Sequence, residues 1–390
     1  MNVTETIRTF EEFFTGRGHQ LLHSSSLVRP PGDPVLFTSA GMHPLTSYLE
    51  GQPHPLGRRL TGVQRCLRTT DLDDVGDDRH LTVFQMLGSW SLGDYVGPQS
   101  LRWGYELLVD VLGISPGRLH ATVFGGDDQV GPDTMSLQTW AELGVPVELS
   151  TQDNWWSNGP VGPCGPDSEI FVWTGSGPPQ GTPGTDERWM ELWNHVTMRY
   201  QRHGDGSLEP LPQPNVDTGM GLERLQMVLQ GKPSVYESDV FGPWLTTLPG
   251  LWQPDQRSLR LLTDHLRASV VIIGDGVLPT NTGRGYVLRR LLRRALTTLW
   301  RDDSARTLRD LPVPLIEHTQ GQFGQDTGIG LVTDVLHGEE QRFGKLLTRG
   351  RKVLAQLPPG RPLTETDLAY LHETHGLPPD LVTELVAELC

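Results

Sequence analysis

Apolar residues follow two different spacings along the chain, and the change comes near Lys232. Before that point, several segments alternate apolar and polar positions, as HLTVFQML (80–87) does, which is typical of a strand with one buried face. Beyond it, apolar residues recur at helical spacing. The helical segments are 259–274, 286–300, 338–357 and 379–389. We therefore predict an α+β front domain, residues 1–232, followed by an all-helical back domain, residues 233–390.

The front domain is predicted to mix helices with strands. Helical spacing occurs from roughly Glu5 to Gly16, in SLRWGYELLVDVLG (100–113) and in TMSLQTWAELG (134–144). Strand patterns occur on both sides of an acidic, turn-rich loop within residues 61–95, in RLHATVFG (118–125) and in ELWNHVTMRYQRH (191–203). DTGMGLERLQMVLQ (217–230) is interpreted as a strand end that runs into a helix.

Two segments of the front domain are predicted to be loops. The segment from Asn154 to Ile170 is dominated by Gly, Pro and Trp, so we expect a shaped loop without a regular element. TGSGPPQGTPGTDE (174–187) is also rich in Gly and Pro, and we expect it to be a mobile surface loop.

Composition excludes some classes of protein. No apolar run approaches the length needed to cross a bilayer, and the N-terminus lacks the basic start and apolar centre of a signal peptide. We therefore expect a cytoplasmic protein that does not enter a membrane, and we also expect it to be a monomer. The three cysteines, Cys66, Cys164 and Cys390, are too few and too scattered for a disulfide framework. Without a CxxC motif, the sequence also argues against a structural zinc site.

The formal net charge of -15 bears on nucleic-acid binding. Proteins that grip a phosphate backbone are usually basic, so RNA binding by this chain would need a local basic surface. YVLRRLLRRA (286–295) offers one, because Arg289 with Arg293 and Arg290 with Arg294 stand at i,i+4 spacing opposite an apolar face. No acidic residue interrupts the sequence between Arg284 and Arg294, which favours a positive stripe that can bind phosphates over a solvated helix face.

The usual nucleotide-binding motifs are missing from the sequence. No GxxxxGK[ST] occurs, and no GxGxxG opens a βαβ unit, so an ATP site would need another design. One such design is an antiparallel sheet on which arginines clamp the triphosphate, because a guanidinium grips phosphate oxygens bidentately and stays charged. Arg68 lies at a strand before a loop, and Arg224 opens a helix after a glycine-rich strand end.

Several long segments resemble the motifs of alanyl-tRNA synthetases, and they occur in the family's order. SSSLVRPPGDPVLFTSAGM (24–42) resembles motif 1; RCLR (65–68), DLDDVG (71–76) and RHLTVFQMLGSWSLGDY (79–95) resemble motif 2; NVDTGMGLERLQMVLQ (215–230) resembles motif 3. DNWW (153–156), GPVGPCGPDSEIF (159–171) and ELWNHVTMRY (191–200) are similar to the segments around the family's alanine pocket. Residues 260–295 resemble its helical tRNA-recognition domain.

The resemblance implies a class II synthetase fold, in which helices flank an antiparallel sheet. It also implies the family's activity, which is ATP-dependent formation of alanyl-adenylate followed by transfer of alanine to tRNA(Ala), with ATP and Mg²⁺ as cofactors. The match covers the catalytic and tRNA-recognition half of the family. We find no segment that resembles its zinc-binding editing domain or its C-terminal domain.

For ATP, the resemblance assigns roles in motifs 2 and 3. Arg68 would hold the α-phosphate and stabilise the charge that develops there during the reaction. Arg224 would bind near the γ-phosphate and adenine, while Phe84 would cover the opposite face of adenine. Gly221 would also contact ATP, and Glu191 is a candidate Mg²⁺ ligand.

For alanine, the resemblance places Asp217 at the substrate's ammonium group, together with Gly219. A carboxylate buried beside glycines needs such a partner, because an isolated buried charge is costly. Asn194 would hydrogen-bond the substrate, while Trp156 and Val196 would close the space beyond its methyl group.

For the RNA acceptor, Asn281 matches the region where the family places an asparagine that reads a G·U pair. Glu373 stands where the family has an aspartate that contacts the same pair. The implied RNA-contacting residues are thus Asn281, Arg289, Arg290, Arg293, Arg294 and Glu373.

The sequence departs from the family pattern at several points. The motif 2 loop is short, Glu373 is longer than aspartate, and Gln85 and Asp167 replace a usual glutamate and cysteine. Three hypotheses therefore stay open for the acceptor. In the first, which we favour, alanine is transferred to tRNA(Ala). In the second, it is transferred to a carrier protein or to a small molecule of secondary metabolism. In the third, the chain is an inactive paralogue that binds RNA or another partner.

Overall fold

A mixed β-sheet forms the centre of the front half in the computed structural model, which describes residues 1–30, 33, 35–70, 72–151, 153–356, 363–375, 377 and 382. Its strands are β1 (Gln20–Leu22), β2 (Arg59–Leu67), β3 (Val83–Leu92), β4 (Leu119–Phe124), β5 (Val147–Ser150), β6 (Trp155–Ser157), β7 (Gly162–Trp173), β8 (Trp189–Arg202) and β9 (Leu208–Gly221). The strand order is β1-β2-β3-β9-β8-β7-β4-β5, and β6 pairs with β7. All pairs are antiparallel except β1 with β2 and β4 with β5.

Helices flank the sheet, and they are the main regular elements of the described chain after β9. They are α1 (Val3–Thr15), α2 (Thr46–Leu49), α3 (Gly97–Glu106), α4 (Thr134–Leu143), α5 (Leu222–Leu229), α6 (Gly242–Trp252), α7 (Gln256–Gly274), α8 (Gly283–Trp300), α9 (Val313–Gln322), α10 (Ile329–Leu354) and α11 (Glu365–His375). The predicted fold class, a sheet flanked by helices and followed by a helical region, is confirmed. The predicted helix at 379–389 lies outside the described residues, apart from residue 382.

The prediction of a loop from Asn154 to Ile170 is wrong, because most of this segment forms β6 and the first part of β7. Gly165 and Pro166 fit a strand here because of their relation to the neighbouring strand β8. Pro166 lies inside a register shift of the β7–β8 pairing, between Cys164 and Asp167, where a missing N–H does not interrupt the regular ladder to β8. Gly165 lies so close to β8 that a Cβ atom would collide with the carbonyl oxygen of Thr197.

The two faces of the sheet have different neighbours. On one face, Phe10 and Phe14 of α1 lie with ring centroids 5.9 and 6.3 Å from that of Trp193 on β8. Successive side chains of a strand point to opposite faces. Asn194 and Val196 therefore point away from α1, and they line an open cavity on the other face.

The helical region shares an apolar core with the sheet. Leu67 of β2 and Val83 of β3 belong to the same buried cluster as Leu266 of α7 and Leu288 of α8. Just after the predicted boundary, four apolar residues pack instead with the helices behind the sheet: Val235, Tyr236, Val240 and Phe241. The division at residue 232 stays a prediction. None of the helices in the described ranges is long and apolar enough to span a membrane.

Candidate active site

An open cavity lies over the face of the sheet formed by β3, β9 and β8. Every residue that the sequence assigned to ATP, alanine or Mg²⁺ lines this cavity. They are Arg68, Phe84, Trp156, Glu191, Asn194, Val196, Asp217, Gly219, Gly221 and Arg224. The structure therefore brings together residues that are up to 156 positions apart in the sequence, counted from Arg68 to Arg224.

Strand register explains why residues of β8 and β9 meet in the cavity. Asn194 pairs with Gly219, and Val196 pairs with Asp217, so these four residues form a block on one face of two neighbouring strands. β9 then ends at Gly221, and α5 begins at once with Leu222. This strand-to-helix junction is the one that the glycine-rich motif predicted, and it places Arg224 on the first turn of α5.

Asp217 is a buried carboxylate that receives one strong hydrogen bond. Its side chain is 6% exposed, and Trp90 Nε1 donates to its Oδ1 over 2.6 Å. Burial raises the pKa of Asp217 to about 7, although the hydrogen bond from Trp90 acts in the opposite direction. In the part of the chain that the structure describes, no cation forms an ion pair with Asp217. An ammonium group that entered the cavity would stabilise the ionised form.

Apolar side chains close the cavity beside Asp217. Val196 packs in a cluster that contains Ala40 and Trp90, and Trp156 packs against the same cluster. At Gly219, an added Cβ atom would lie 2.7 Å from Met86 Sδ, so glycine lets the Met86 side chain pack directly against β9. This part of the cavity suits a small apolar group next to a carboxylate partner.

Arg68 follows the last residue of β2 and reaches the cavity beside Phe84. Its guanidinium carbon lies 5.2 Å from the centroid of the Phe84 ring, and its Nε donates to the carbonyl oxygen of Ser39 over 3.3 Å. Within the described residues, Arg68 forms no ion pair. Its charge is therefore available to an anionic ligand, and the nearby ring offers an apolar surface for a planar group.

Arg224 is held at the cavity by Glu191 of β8. Its Nη1 donates to Glu191 Oε2 over 3.0 Å and to the carbonyl oxygen of Glu191 over 3.1 Å. Arg79 also lines the cavity, and its pKa is lowered by burial and then by the nearby charge of Arg224. Two arginines that repel each other at the edge of a cavity favour a bound polyanion.

Two carboxyl groups lie next to the cavity-lining residues of β8. Burial raises the pKa of Asp167 to about 7, against hydrogen bonds from the side chains of Asn154 and Asn194. Burial, followed by the charges of Glu191 and Asp167, raises the pKa of Glu169 to about 9. Asn154 Nδ2 donates to Asp167 Oδ1 over 3.0 Å.

The residues assigned to RNA lie away from this cavity, on α8 and around it. The predicted apolar face of α8 is confirmed by burial of Val287, Leu288, Leu291 and Leu292. The arginines are not an isolated positive stripe, however. Arg289 and Arg293 contact Glu339 of α10 over 3.3 and 3.0 Å, and Arg290 and Arg294 contact Asp73 over 3.8 and 3.0 Å.

The two remaining RNA candidates have different surroundings. Asn281 is exposed in the turn before α8, and its Oδ1 accepts a hydrogen bond from Arg289. Glu373 lies within α11, and its side chain lies outside the described residues.

The carboxylates of the cavity fit a magnesium ion that is shared with a phosphate ligand. Across the described ranges, no group of three or more His, Cys, Asp or Glu side chains is arranged to hold a metal ion. Mg²⁺ is commonly bound by one or two carboxylates together with substrate phosphates. Glu191 is a carboxylate of this kind, and it lies beside Arg224.

Sequence reasoning missed several cavity residues. Arg79 and His80 line the cavity at the start of the segment that leads into β3, and Met86 lines it from β3 itself. The sequence also did not indicate Trp90, which donates to Asp217 without lining the cavity, because a tryptophan in a strand gives no signal beyond a buried position. Arg79 and His80 stand inside the segment 79–95 that carried the motif 2 resemblance, so that segment contained the available signal.

Comparisons with known proteins found a family, curated relatives and solved structures that are similar to this chain. The family described as tRNA synthetases class II (A) matches residues 5–389. Alanine–tRNA ligase of Treponema pallidum (strain Nichols) is 40% identical over 96% of this chain and 67% of its own length. Among solved structures, that of apo S. aureus histidyl-tRNA synthetase covers 64% of this chain and 76% of its own, at 12% identity and a TM-score of 0.36.

Other curated relatives are longer than this chain. Alanine–tRNA ligase of Borrelia hermsii (strain HS1 / DAH) is 38% identical over 100% of this chain and 70% of its own length. That of Rubrobacter xylanophilus is 38% identical over 100% of this chain and 47% of its own length. The chain thus spans from about half to about two thirds of the curated relatives that it matches. The family match across 5–389, together with the relatives from Treponema pallidum and Borrelia hermsii, shows that the chain belongs to the alanine–tRNA ligase family of class II tRNA synthetases.

Proposed function

We propose that this chain activates alanine with ATP to form alanyl-adenylate and then transfers the alanyl group to tRNA(Ala). The observation that carries the proposal is a single cavity with two kinds of charged lining. It is lined by the buried carboxylate of Asp217, which has no ion-pair partner among the described residues, and by the guanidinium groups of Arg68, Arg79 and Arg224. Asp217 and Gly221 are four residues apart on β9, which corresponds to about 13 Å along the strand. The carboxylate that would bind an ammonium group therefore lies apart from the arginine-rich end of β9 that would bind phosphates, on the same face of the sheet.

In the first reaction, a carboxylate oxygen of alanine attacks the α-phosphorus of ATP. The bond from that phosphorus to the oxygen that bridges to the β-phosphate breaks, and pyrophosphate leaves. Asp217 would hold the ammonium group, and the small apolar pocket at Val196 would take the methyl group. Arg68 would neutralise the charge that builds on the α-phosphate oxygens in the transition state.

The remainder of ATP would occupy the arginine-rich part of the cavity. Phe84 would pack on adenine, and Arg79 and Arg224 would face the outer phosphates, where two guanidinium groups can each bind oxygens bidentately. Mg²⁺ held by Glu191 and the phosphates would supply further charge neutralisation. Glu191 would then change partners, since it pairs with Arg224 in this structure.

In the second reaction, a hydroxyl of the 3′-terminal ribose of tRNA attacks the carbonyl carbon of alanyl-adenylate, and AMP leaves. Asn281, Glu373 and the arginines of α8 would contact the RNA. The phosphates of the RNA would have to compete with Asp73 and Glu339 for those arginines, because each arginine already contacts one of these carboxylates. Binding would then depend on exchange of ion-pair partners as well as on net attraction.

The test is an acylation assay with radiolabelled alanine and ATP, with and without tRNA(Ala). The proposal predicts acid-precipitable label that depends on tRNA(Ala) and is lost after mild base, which hydrolyses the ester. Brisk pyrophosphate exchange without label on tRNA(Ala) would overturn the choice of acceptor and favour a carrier protein or a small molecule. Loss of both activities would overturn the whole proposal.

A further inference from the structure

Helix α7 carries two buried charged residues that point to the start of β3. Asp264 and Arg267 are three positions apart, so they lie on the same side of the helix one turn apart. Both are 1% exposed. Neither lines the cavity, and neither has a role in the reaction described above.

Asp264 binds the residue that precedes β3. Its Oδ1 accepts the backbone N–H of Thr82 over 2.8 Å, and its Oδ2 accepts the Thr82 hydroxyl over 2.5 Å. Oδ2 is also 2.9 Å from Nδ1 of His265. The helix therefore fixes both the backbone and the side chain of Thr82, two residues before Phe84.

Arg267 connects β3 with α5. Its Nη1 donates to the carbonyl oxygen of Val83 over 2.8 Å, and its Nη2 donates to Glu223 Oε1 over 2.9 Å. The rings of Phe241 and Phe323 lie 4.8 and 4.6 Å from the guanidinium carbon, so packing fixes its position. One side chain of α7 thus holds a strand and a helix that both reach the cavity.

Glu223 completes the connection on the other side of Phe84. Its carboxylate accepts the backbone N–H of Gln85, with distances of 3.2 and 3.1 Å to its two oxygens. Phe84 therefore lies between Val83, held by Arg267, and Gln85, held by Glu223. Arg224 follows Glu223 directly in the sequence, so the same pair also fixes the start of α5.

A buried ion pair is weak evidence for a contribution to stability. Removing a guanidinium and a carboxylate from water costs each ion its hydration, and the attraction between them often does no more than offset that cost. What distinguishes Arg267 and Glu223 is which atoms they hold: the backbone on both sides of Phe84 and the residue before Arg224.

We propose that Arg267 and Glu223, supported by Asp264, are positioning residues that set Phe84 and Arg224 for ATP. This inference rests on the proposed function, because it assigns these two cavity residues to ATP. It makes the helical region a part of the nucleotide site, through contacts that do not involve RNA. The alanine side of the cavity, at Asp217 and Asn194, receives no contact from this pair.

The kinetic test compares R267Q with E340Q in alanine-dependent pyrophosphate exchange. Glu340 is a matched control, because it is a buried carboxylate of the helical region, 8% exposed, that accepts the backbone N–H of Leu308 over 2.9 Å away from the cavity. We expect R267Q to raise KM for ATP by about fivefold or more while KM for alanine changes by less than about twofold. E340Q should lower Tm without changing KM for ATP, and R267K should restore part of the loss.

The inference is overturned if R267Q leaves KM for ATP unchanged, or if it raises both KM values equally. Amide hydrogen exchange supplies a readout that does not depend on the reaction. R267Q should speed exchange in residues 82–86 and 222–229, whereas E340Q should not. If the wild-type chain activates no amino acid, the proposed function fails. Hydrogen exchange then still tests whether Arg267 and Glu223 position β3 and α5. Unchanged protection of residues 82–86 and 222–229 in R267Q would contradict that positioning role.

Discussion

Trp90 donates the hydrogen of its indole nitrogen to Asp217 over 2.6 Å, across the pair of neighbouring strands β3 and β9. The two residues are direct partners in the register of these strands. This hydrogen bond stabilises a carboxylate that burial otherwise drives towards its neutral form. The ability of the cavity to bind an ammonium group therefore depends on a residue that the motifs did not single out.

The first prediction concerns pH. Burial raises the pKa of Asp217 to about 7 in the free chain, so its carboxyl group is protonated below that pH and ionised above it. Only the ionised form can pair with the ammonium group of alanine. We expect kcat/KM for alanine to rise with pH through about 7 and then level off, because this ratio reports ionisations of the free enzyme.

Asp217→Asn provides the comparison for the pH profile. It should nearly abolish alanine activation and leave ATP binding intact, since the amide has no negative charge for the ammonium group. A pH profile measured by pyrophosphate exchange, with ATP affinity measured separately by calorimetry, distinguishes these effects. A fall in ATP affinity as large as the fall in alanine affinity would assign Asp217 a different role.

The second prediction concerns Trp90. Trp90→Phe removes the hydrogen bond to Asp217, so the pKa of the carboxyl group should rise further, and the increase in kcat/KM for alanine should shift to higher pH by roughly one unit. Trp244→Phe is a matched control, because Trp244 is fully buried and donates to Thr319 Oγ1 over 3.1 Å in the helical region. If the pH profile of Trp90→Phe is the same as that of the wild-type chain, the hydrogen bond from Trp90 does not affect the pKa of Asp217.

The third prediction concerns the arginines of the cavity. Arg68→Ala and Arg224→Ala should each lower pyrophosphate exchange by at least about tenfold, which corresponds to about 1.4 kcal/mol of transition-state stabilisation. Arg102→Ala removes an arginine whose carboxylate partner, Glu142, lies on the surface, and it should leave exchange unchanged. Full activity of Arg68→Ala would mean that Arg68 does not contact the reacting phosphate.

The fourth prediction concerns tRNA. Reversing Arg290 and Arg294 to Glu should weaken tRNA(Ala) binding and flatten its dependence on salt, because fewer phosphates are neutralised. Pyrophosphate exchange should survive, since both residues lie away from the cavity. Asp73→Asn should have the opposite effect on affinity, because it removes the carboxylate that both arginines contact. Equal salt slopes for the reversed and wild-type chains would exclude a phosphate contact at this surface.

The same tRNA experiment includes a test of sequence recognition. Binding should favour an acceptor stem with a G·U pair over one with G·C, and Asn281→Ala should remove the preference. If the preference persists in Asn281→Ala, the reading of this base pair belongs to other residues.

The sequence predicted most of the sheet because alternation is a local signal, and β3 and β8 show it clearly. It did not predict β7, because Gly165 and Pro166 have low strand propensity when they are considered alone. The close approach of Thr197 and the register shift in β7 make those residues suitable, and both depend on a strand about 30 positions away.

Long-range charge pairing explains what was missed around α8. The sequence near Arg290 and Arg294 contains no acid, yet Asp73 contacts both from a position 221 residues before Arg294. Motifs 2 and 3 occur as intact segments, so the sequence could name residues that meet in the cavity, and the roles assigned to these residues stay predictions. Strand register pairs Val196 with Asp217 and Asn194 with Gly219, and so brings these residues together. The spacing of the motifs in the sequence does not define that register.

The most direct test of the account is amino-acid-dependent pyrophosphate–ATP exchange by the wild-type chain without tRNA. We predict the strongest exchange with alanine, and weaker but measurable exchange with glycine and serine. A pocket gains only about 1–3 kcal/mol from one methyl group and excludes a small hydroxyl poorly. Larger amino acids should remain at background. Exchange that is absent with alanine, glycine and serine alike would contradict the claim that this cavity forms an aminoacyl-adenylate.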